Sequence, residues 1–318
     1  MATTYHVKVI AALDARAIRQ LSSDIQHTLD TIDQKMSTYK PNSELSRFNQ
    51  HLSTGPFPVS QDMLEVFDIA LQISEQTGGA YDITIGPLVN AFGFGPEHPA
   101  APPTEVEIEQ LRQRVNYRYI KINRDAGTLQ KSRPDVYCDL SSIAQGFGTD
   151  AVVKLLEARG IHDYMVEVSG EVRALGKNAS GQPWQIAIEK PIASGRAIER
   201  VVPLSGKSLA TSGDYRNYYE ENGVRVSHTL DARTGRPITH KLASISVIHD
   251  ECTWADAYAT ALNVLGPEEG YHFAVEHHLP ALFINHTPNG FEEKATPDFQ
   301  SYLGTSSVPS VQSISPES

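Results

Sequence analysis

One helix rich in small residues, predicted over residues 253–265, constrains the fold of this chain more than any other segment. It follows a predicted strand over residues 243–249, begins with Thr253 as its N-cap and ends at Gly266. Alanines occupy most positions outside its apolar stripe, a pattern typical of a helix that is buried on most of its surface. The stripe recurs at helical spacing and consists of Trp254, Tyr258, Ala261 and Leu265.

Asp256 and Thr260 are the polar exceptions on this helix. Their i, i+4 spacing places a carboxylate and a hydroxyl on one face. Two hard oxygen donors on a rigid helix suit a hard cation such as Mg²⁺, which shares its coordination shell with waters and substrate phosphates. The alternative is structural: Asp256 caps the first turn and Thr260 bonds back to a carbonyl. The helix alone favours the structural alternative, and the rest of the chain reverses that preference.

The composition limits the kinds of partner this chain can have. Its 318 residues are 40% hydrophobic and 20% charged, as in a globular protein. The net charge is −11 without a basic cluster, so we expect no nucleic-acid partner, and an anionic ligand would need a local cation or backbone N–H donors. No run has the length of a transmembrane helix and no leader precedes Thr3, so we expect a cytosolic chain or a trimmed mature form. Cys138 and Cys252 are expected to be buried thiols.

The remaining periodicity predicts helices alternating with hairpins. The first helix is capped by Asp14 and carries one apolar face, formed by Ile18, Leu21, Ile25, Leu29, Ile32 and Met36. Further helices are predicted over residues 61–76, over residues 105–115 behind a Thr104–Glu107 capping box, up to Arg159, and over residues 269–277. Strands are predicted over residues 4–11, 119–122, 128–131, 136–140, 165–168, 172–175, 184–189, 201–204, 208–211, 224–230 and 281–285. We expect a single domain over residues 1–304 and a disordered tail over residues 305–318.

Polar loops between these elements supply candidate ligand contacts. Tyr39, in the loop over residues 37–49, either stacks on a planar ligand or is an ordinary surface tyrosine. The pair Gly78-Gly79 suggests a left-handed turn or a backbone close to a ligand, but no dinucleotide fingerprint and no P-loop is present. Asp139 precedes a helix whose N-terminus is a natural anion site, and it either binds a ligand or caps that helix.

Seven sequence blocks follow one another along the chain in a fixed order: STYKPNSELSRFN, GGAYDITIGPLVNAFGFGP, DLSSIAQGFGTD, SGEVRALG, TSGDYRNYY, SHTLDARTGRPI and ADAYATAL. In this order they resemble the ApbE family, the FAD:protein FMN transferases. The resemblance runs over residues 1–303 and depends on the order of the seven blocks rather than on any one of them.

The resemblance implies an α+β fold of the T-fold type, with antiparallel sheets packed with helices. It implies that FAD binds with Mg²⁺ and that FMN passes through a phosphoester to a threonine or serine hydroxyl of an acceptor protein, releasing AMP. It implies metal ligands at Asp256, Thr260 and the carbonyl of Ser142. The contacts it implies for the flavin nucleotide are Met1, Tyr39, Ala80, Tyr81, Asp82, Asp139, Gln145, Ser227 and Leu230.

Two positions depart from the family pattern. Gln145 is neutral where relatives often have lysine or glutamate, which puts a direct charge contact there in doubt. Ala232 replaces the expected proline of the D-P-x-T-G turn. Relatives are usually exported lipoproteins, so the resemblance implies the periplasmic face of the bacterial inner membrane, with membrane contact only through a lipid anchor, and a cytoplasmic location stays open.

The chemistry needs a base for the acceptor hydroxyl. His228 is the candidate because histidine titrates near neutral pH, while support of the Ser227–Asp231 turn is its structural alternative and Asp256 is the other candidate base. An Mg²⁺-dependent FAD pyrophosphatase would use the same residues, and a non-catalytic flavin carrier would need the flavin site alone. The acceptor is expected to carry an S/T-G-A-T-like segment, as a respiratory flavoprotein subunit.

Overall fold

The central sheet joins strands that lie far apart in the sequence. The structure is a computed structural model that describes residues 4–192, 197–213, 218–221 and 224–303. Its strands are β1 (Tyr5–Val9), β2 (Phe57–Pro58), β3 (Ile120–Asn123), β4 (Thr128–Lys131), β5 (Tyr164–Val168), β6 (Glu171–Leu175), β7 (Trp184–Glu189), β8 (Ile198–Leu204), β9 (Lys207–Gly213), β10 (Tyr218–Glu221), β11 (Val224–Ser227), β12 (Leu230–Asp231), β13 (Arg236–Pro237), β14 (Leu242–His249), β15 (Ala281–Thr287) and β16 (Gly290–Ala295). The largest sheet has the order β1-β5-β6-β9-β14-β15-β16, and its neighbours pair antiparallel.

The helices are α1 (Ala15–Met36), α2 (Glu44–Gln50), α3 (Gln61–Gln76), α4 (Gly86–Ala91), α5 (Glu105–Arg112), α6 (Ala144–Glu157) and α7 (Cys252–Glu276), with short 3-10 helices at Tyr117–Tyr119 and Pro297–Tyr302. Of these, α6 and α7 contact strands of the largest sheet, while α1 packs on α6 and α3 packs on α7. Gly266 has φ 81° and ψ −172° and Pro267 follows it, so α7 consists of two helical segments. None of the helices in the described ranges is both long enough and apolar enough to span a bilayer.

Alternating side chains of the sheet divide the core in two. On β14 and β15, Val247 and Phe283 face the helices, whereas Ile248 and Leu282 face the β7–β8 hairpin on the opposite side. This period of two is the expected consequence of strand geometry. The sheet is therefore covered on both faces, and the α+β class with antiparallel sheets and helices is confirmed.

The strongest periodic predictions hold. Asp14 caps α1 through bonds from the N–H groups of Arg16 and Ala17, α3 has the predicted bounds, and the Thr104–Glu107 capping box starts α5. Ile18 is an exception, since its side chain is 53% exposed instead of lying on the buried face of α1.

Two local predictions are wrong, and one strand was missed. Residues 136–140 form only one isolated bridge, between Tyr137 and Ile85, rather than a strand. Thr253 is not the N-cap of α7, because Glu251 holds that position without a side-chain bond. Strand β16 was not predicted; its alternately exposed residues carry several charges. Residues 304–318 and Met1 lie outside the described residues, so the predictions about them stay predictions.

Candidate active site

A cleft of about 390 Å³ opens where the first segment of α7 meets the loops that precede α4, α6 and β12. The predicted residues that line it are Ala80, Tyr81, Asp82, Asp139, Ser142, Gln145, His228, Leu230, Asp256 and Thr260. Tyr39 and Ser227 lie beside the lining: the hydroxyl of Tyr39 donates to the carbonyl of Phe94 (3.1 Å), and Oγ of Ser227 accepts from the N–H of Thr229 (3.1 Å). Most of the predicted site is thus brought together in space.

Asp256 is held by the neighbouring helix rather than by its own. It lies beyond the first turn of α7, buried, and its Oδ2 accepts a hydrogen bond of 2.9 Å from the N–H of Gly146 in the first turn of α6. The positive end of that helix favours a carboxylate there. The N-terminus of α6, predicted as an anion site for a ligand, therefore uses at least one of its N–H groups to bind Asp256.

The close approach of α6 and α7 depends on Gly146. A Cβ at this position would lie 2.4 Å from the carbonyl oxygen of Cys252 and 2.7 Å from Cβ of Asp256. Such distances do not occur between ordinary side chains, so only glycine permits this contact.

Asp150 of α6 supplies the cap that α7 lacks on its own chain segment. Its two carboxylate oxygens accept from the backbone N–H groups of Cys252 (3.0 Å) and Thr253 (2.8 Å), and the hydroxyl of Thr253 also donates to it (2.7 Å). Arg173 of β6 pairs with the same carboxylate at 3.0 Å. The start of the Asp256 helix is thereby fixed to both α6 and the sheet.

Two carboxyl groups in the cleft are perturbed together. Burial raises the pKa of Asp256 to about 7, although the bond from Gly146 acts in the opposite direction. Burial, and then the charge of Asp256, raise the pKa of Glu171 well above its usual range. Glu171 begins β6 and lines the same cleft, and its Oε2 is buried without a hydrogen-bond partner.

The segment that carries Asp139 and Ser142 is held in place by the side chains of Asn49 and Lys131. The amide side chain of Asn49 exchanges two hydrogen bonds of 2.8 Å with the backbone of Cys138. The buried ammonium of Lys131 donates to three carbonyls, those of Asn49 and Pro134 at 3.1 Å and that of Val136 at 3.3 Å. These side-chain contacts take the place of a strand ladder over residues 136–140.

Asp139 and Ser142 lie in this segment and line the cleft. Asp139 turns the backbone by accepting from the N–H of Ser141 (2.8 Å), while its own N–H donates to the carbonyl of Ile83 (2.8 Å). The hydroxyl of Ser142 donates to the phenolic oxygen of Tyr81 (3.0 Å). Asp139 therefore organises the loop and lines the cleft. The alternative that it caps α6 is wrong, because Ile143 holds the N-cap position.

Asp82 binds the protein through both of its carboxylate oxygens. Oδ1 accepts from the N–H (2.8 Å) and hydroxyl (2.7 Å) of Thr84, and Oδ2 accepts from the N–H of Tyr117 (2.6 Å). Burial nonetheless raises the pKa of Asp82 to about 6. Its carboxylate thus shapes one wall of the cleft.

His228 lines the cleft from the link between β11 and β12. It is half-buried, and its ring makes an edge-on contact with Phe94 at a centroid distance of 6.3 Å. Phe94 in turn accepts the bond from Tyr39, so the two aromatic side chains and the histidine border one side of the opening. A titratable side chain is thereby present in the same cleft as Asp256.

Comparison with known proteins now bears on this arrangement. The sequence model of the ApbE family matches residues 1–283. This chain belongs to the ApbE family. Its resemblance to that family, inferred from the seven sequence blocks, is confirmed.

The relatives of this ApbE chain match it along nearly its whole length. The FAD:protein FMN transferase of Vibrio cholerae serotype O1 is 43% identical over 304 residues, covering 95% of this chain and 90% of that protein. The FAD:protein FMN transferase of Haemophilus influenzae is 44% identical over 314 residues, with coverage of 96% and 90%. The solved structure of flavin transferase ApbE from Vibrio cholerae has a TM-score of 0.87 at 42% identity, covering 95% of this chain and 96% of that one. The apo form of the flavinyl transferase ApbE from Pseudomonas stutzeri also has a TM-score of 0.87, at 35% identity, with coverage of 96% and 95%.

The sequence interpretation missed several residues that this ApbE structure places at or under the cleft. Glu171 lies between the strands predicted over residues 165–168 and 172–175 and, like Asp150, Asn49 and Lys131, it was not singled out. The backbone before it has positive φ at Ser169 (62°) and Gly170 (110°), a conformation that no sequence pattern predicts for a serine. Within the described residues, no three histidine, cysteine, aspartate or glutamate side chains form a metal cluster.

Proposed function

We propose that this protein transfers FMN from FAD to a threonine or serine hydroxyl of an acceptor protein, with Mg²⁺ bound in the cleft and AMP released. Membership of the ApbE family makes the chain a transferase, and its relatives are named FAD:protein FMN transferases. The observation that carries the proposal is that Asp256 and Thr260, one helical turn apart, line the same cleft as His228 and the loop of Ser142.

The donor chemistry fits Mg²⁺. Asp256, Thr260 and the carbonyl of Ser142 would hold the ion, and all three donate hard oxygens. A buried carboxylate atom without a partner, Oε2 of Glu171, faces the same cleft and adds to the demand for a cation. Held there, the ion would offset the charge of the pyrophosphate and would make its phosphorus more electrophilic.

The chain's own residues position the two substrates and move the proton. The acceptor hydroxyl attacks the FMN phosphorus in line, a new P–O ester bond forms, and the bond to the AMP phosphate breaks so that AMP leaves with the electron pair. His228 accepts the proton of the hydroxyl as it attacks, because it is the histidine that lines the described cleft. Asp256 is the second candidate for this base. The walls at Tyr81, Asp139 and Leu230 hold the flavin nucleotide, together with Gln145 as a neutral contact.

One assay tests the proposal. The protein is incubated with FAD, Mg²⁺ and an acceptor that carries an S/T-G-A-T-like segment. We expect covalently fluorescent acceptor and an equal amount of AMP. Free FMN with AMP and an unlabelled acceptor would indicate a pyrophosphatase instead, and no AMP at all would indicate a carrier.

Asp256→Ala tests the metal assignment within the same assay. We expect it to abolish Mg²⁺-dependent transfer, because it removes the carboxylate of the cation site. Asp250→Ala is the matched control: its carboxylate is exposed just before α7 and pairs with the surface residue Lys207, so transfer should be unchanged. Wild-type transfer by Asp256→Ala would remove the metal assignment.

We further propose that the acceptor is a respiratory flavoprotein subunit at the periplasmic face of the bacterial inner membrane. The support is the family membership alone. Fractionation of cells that produce the protein, with the flavinylated acceptor followed by fluorescence, tests this location, and recovery of both from the cytoplasm would contradict it.

A further inference from the structure

Among the buried side-chain atoms of the described residues that lack a hydrogen-bond partner, Oε2 of Glu171 is the carboxylate oxygen. Glu171 as a whole is 7% exposed. An unpaired buried carboxylate costs far more than an unpaired hydroxyl, so it is retained only where something compensates for it. Arg173, two positions along β6 and therefore on the same face of the strand, pairs with Asp150.

The backbone contacts around Glu171 place it beside Asp256. Its carbonyl accepts from the hydroxyl of Thr149 on α6 (3.3 Å), one turn after the Gly146 N–H that binds Asp256. The carbonyl of the next residue, Val172, accepts from Sγ of Cys252 (3.7 Å), one turn before Asp256 on α7. The strand segment of Glu171 thus contacts both α6 and α7 close to Asp256, and both residues line one cleft.

Two buried carboxyl groups that line one cleft either keep their protons or share a positive charge. Like charges in one cleft repel, and a divalent cation between them removes that repulsion and pairs the orphaned oxygen in one step. A water could bond to Oε2, but it would leave the second negative charge of the cleft uncompensated.

We propose that Glu171 is a second carboxylate of the divalent-cation site, bonded to the ion directly or through one of its waters. This inference rests on the proposed function, because it takes the ion at Asp256 as given. It makes the protein contribution to the site two negative charges instead of one. The ion is therefore bound before FAD arrives, instead of depending on the substrate phosphates for its affinity.

Cation binding without FAD tests this inference. The full metal-free chain is titrated with Mn²⁺, and the free ion is followed by electron paramagnetic resonance. We expect Glu171→Gln, which keeps the size and removes the charge, to weaken Mn²⁺ binding by about 10–100-fold. Glu292→Gln, on an exposed position of β16, is the matched control and should bind as the wild type does.

A second measurement covers the case in which Glu171→Gln folds poorly. Glu171→Asp keeps the charge on a shorter side chain, and we expect its affinity for Mn²⁺ to lie between those of the wild type and Glu171→Gln. Thermal unfolding of each variant with and without Mg²⁺ gives an independent readout, with the smallest stabilisation by the ion in Glu171→Gln.

The outcomes separate this inference from the proposed function. Asp256→Asn should lose Mn²⁺ binding in the same titration. If Asp256→Asn loses binding while Glu171→Gln keeps wild-type affinity, Glu171 is not part of the cation site and the inference is overturned alone. If neither substitution changes binding, the cation site of the proposed function is overturned with it.

Discussion

Oδ2 of Asp256 accepts a hydrogen bond of 2.9 Å from the backbone N–H of Gly146, and this contact joins the two helices that carry the cleft. The bond fixes the carboxylate at the positive end of α6 while the rest of its surface faces the cleft. Because a Cβ at position 146 would overlap Cys252 and Asp256, the geometry of the site depends on a residue that has no functional group.

Gly146→Ala should therefore damage both the fold and the site. Alanine favours helices over glycine by about 1 kcal/mol, but the added methyl must push α7 away, and overpacking of this kind costs about 1–3 kcal/mol. We expect a lower urea midpoint and a loss of Mg²⁺-dependent transfer. Gly55→Ala is the control, since its added Cβ would meet only the flexible side chain of Ser53 at 3.3 Å. A Gly146→Ala protein with wild-type stability would show that the helices can separate freely.

His228→Ala should separate binding from chemistry. FAD affinity should be largely kept, because the other walls of the cleft hold the nucleotide, whereas the transfer rate should fall by about 10²–10⁴-fold with the loss of a general base. His162→Ala, an exposed histidine away from the cleft, is the control. FAD binding is measured by flavin fluorescence and transfer by labelling of the acceptor; unchanged turnover would leave His228 with a structural role only.

Asp82 should make the protein less stable as the pH rises. Burial raises its pKa in the folded state to about 6 from the ordinary value of 3.8, so the folded state binds more protons between these values. Its contribution to the free energy of unfolding is fully present below about pH 4 and is lost as the pH rises through 6, by up to about 3 kcal/mol. Asp82→Asn should flatten this slope in urea unfolding from pH 4 to 7. Asp125→Asn, on an exposed turn, should leave it in place, and an equal slope in Asp82→Asn would contradict the assignment.

Lys131→Met should weaken the support of the chain segment that carries Asp139 into the cleft. It removes three hydrogen bonds and leaves the carbonyls of Asn49, Pro134 and Val136 without their donor, at a cost of about 2–4 kcal/mol. We expect a lower melting temperature and weaker FAD binding, because the segment that carries Asp139 loses its support. Lys121→Met, exposed on the neighbouring strand β3, is the control. Wild-type FAD affinity in Lys131→Met would mean that the two hydrogen bonds between Asn49 and Cys138 are sufficient to hold the segment.

The elements that the sequence predicts well are those fixed by local signals. Asp14, Ser60 and Thr104 each cap a helix within three residues of the bonds they accept, and the apolar period of α3 gives its bounds. The break at Gly266 is local in the same sense, since glycine adopts the positive φ and proline follows.

The remainder depends on partners that are distant in the sequence. Asp150 caps α7 from about a hundred positions away, and Asn49 replaces the strand partner that residues 136–140 were predicted to have. Candidate site residues such as Asp256, Thr260 and His228 were identified because their side chains carry chemistry. Gly146 and Lys131 escaped notice because they act through position and support, which a single sequence does not reveal.

The pairing of β1 with β5 has a consequence for how the chain is made on the ribosome. His6 lies beside Glu167, 161 positions later, and the apolar face of α1 is covered by residues of α6 and β5. Until that second half has been translated, Leu21, Ile25 and Leu29 have no surface to bury against. The apolar face of α1 is therefore exposed on the nascent chain for more than half of its synthesis. A good yield then requires a holding chaperone that binds this face early and prevents aggregation.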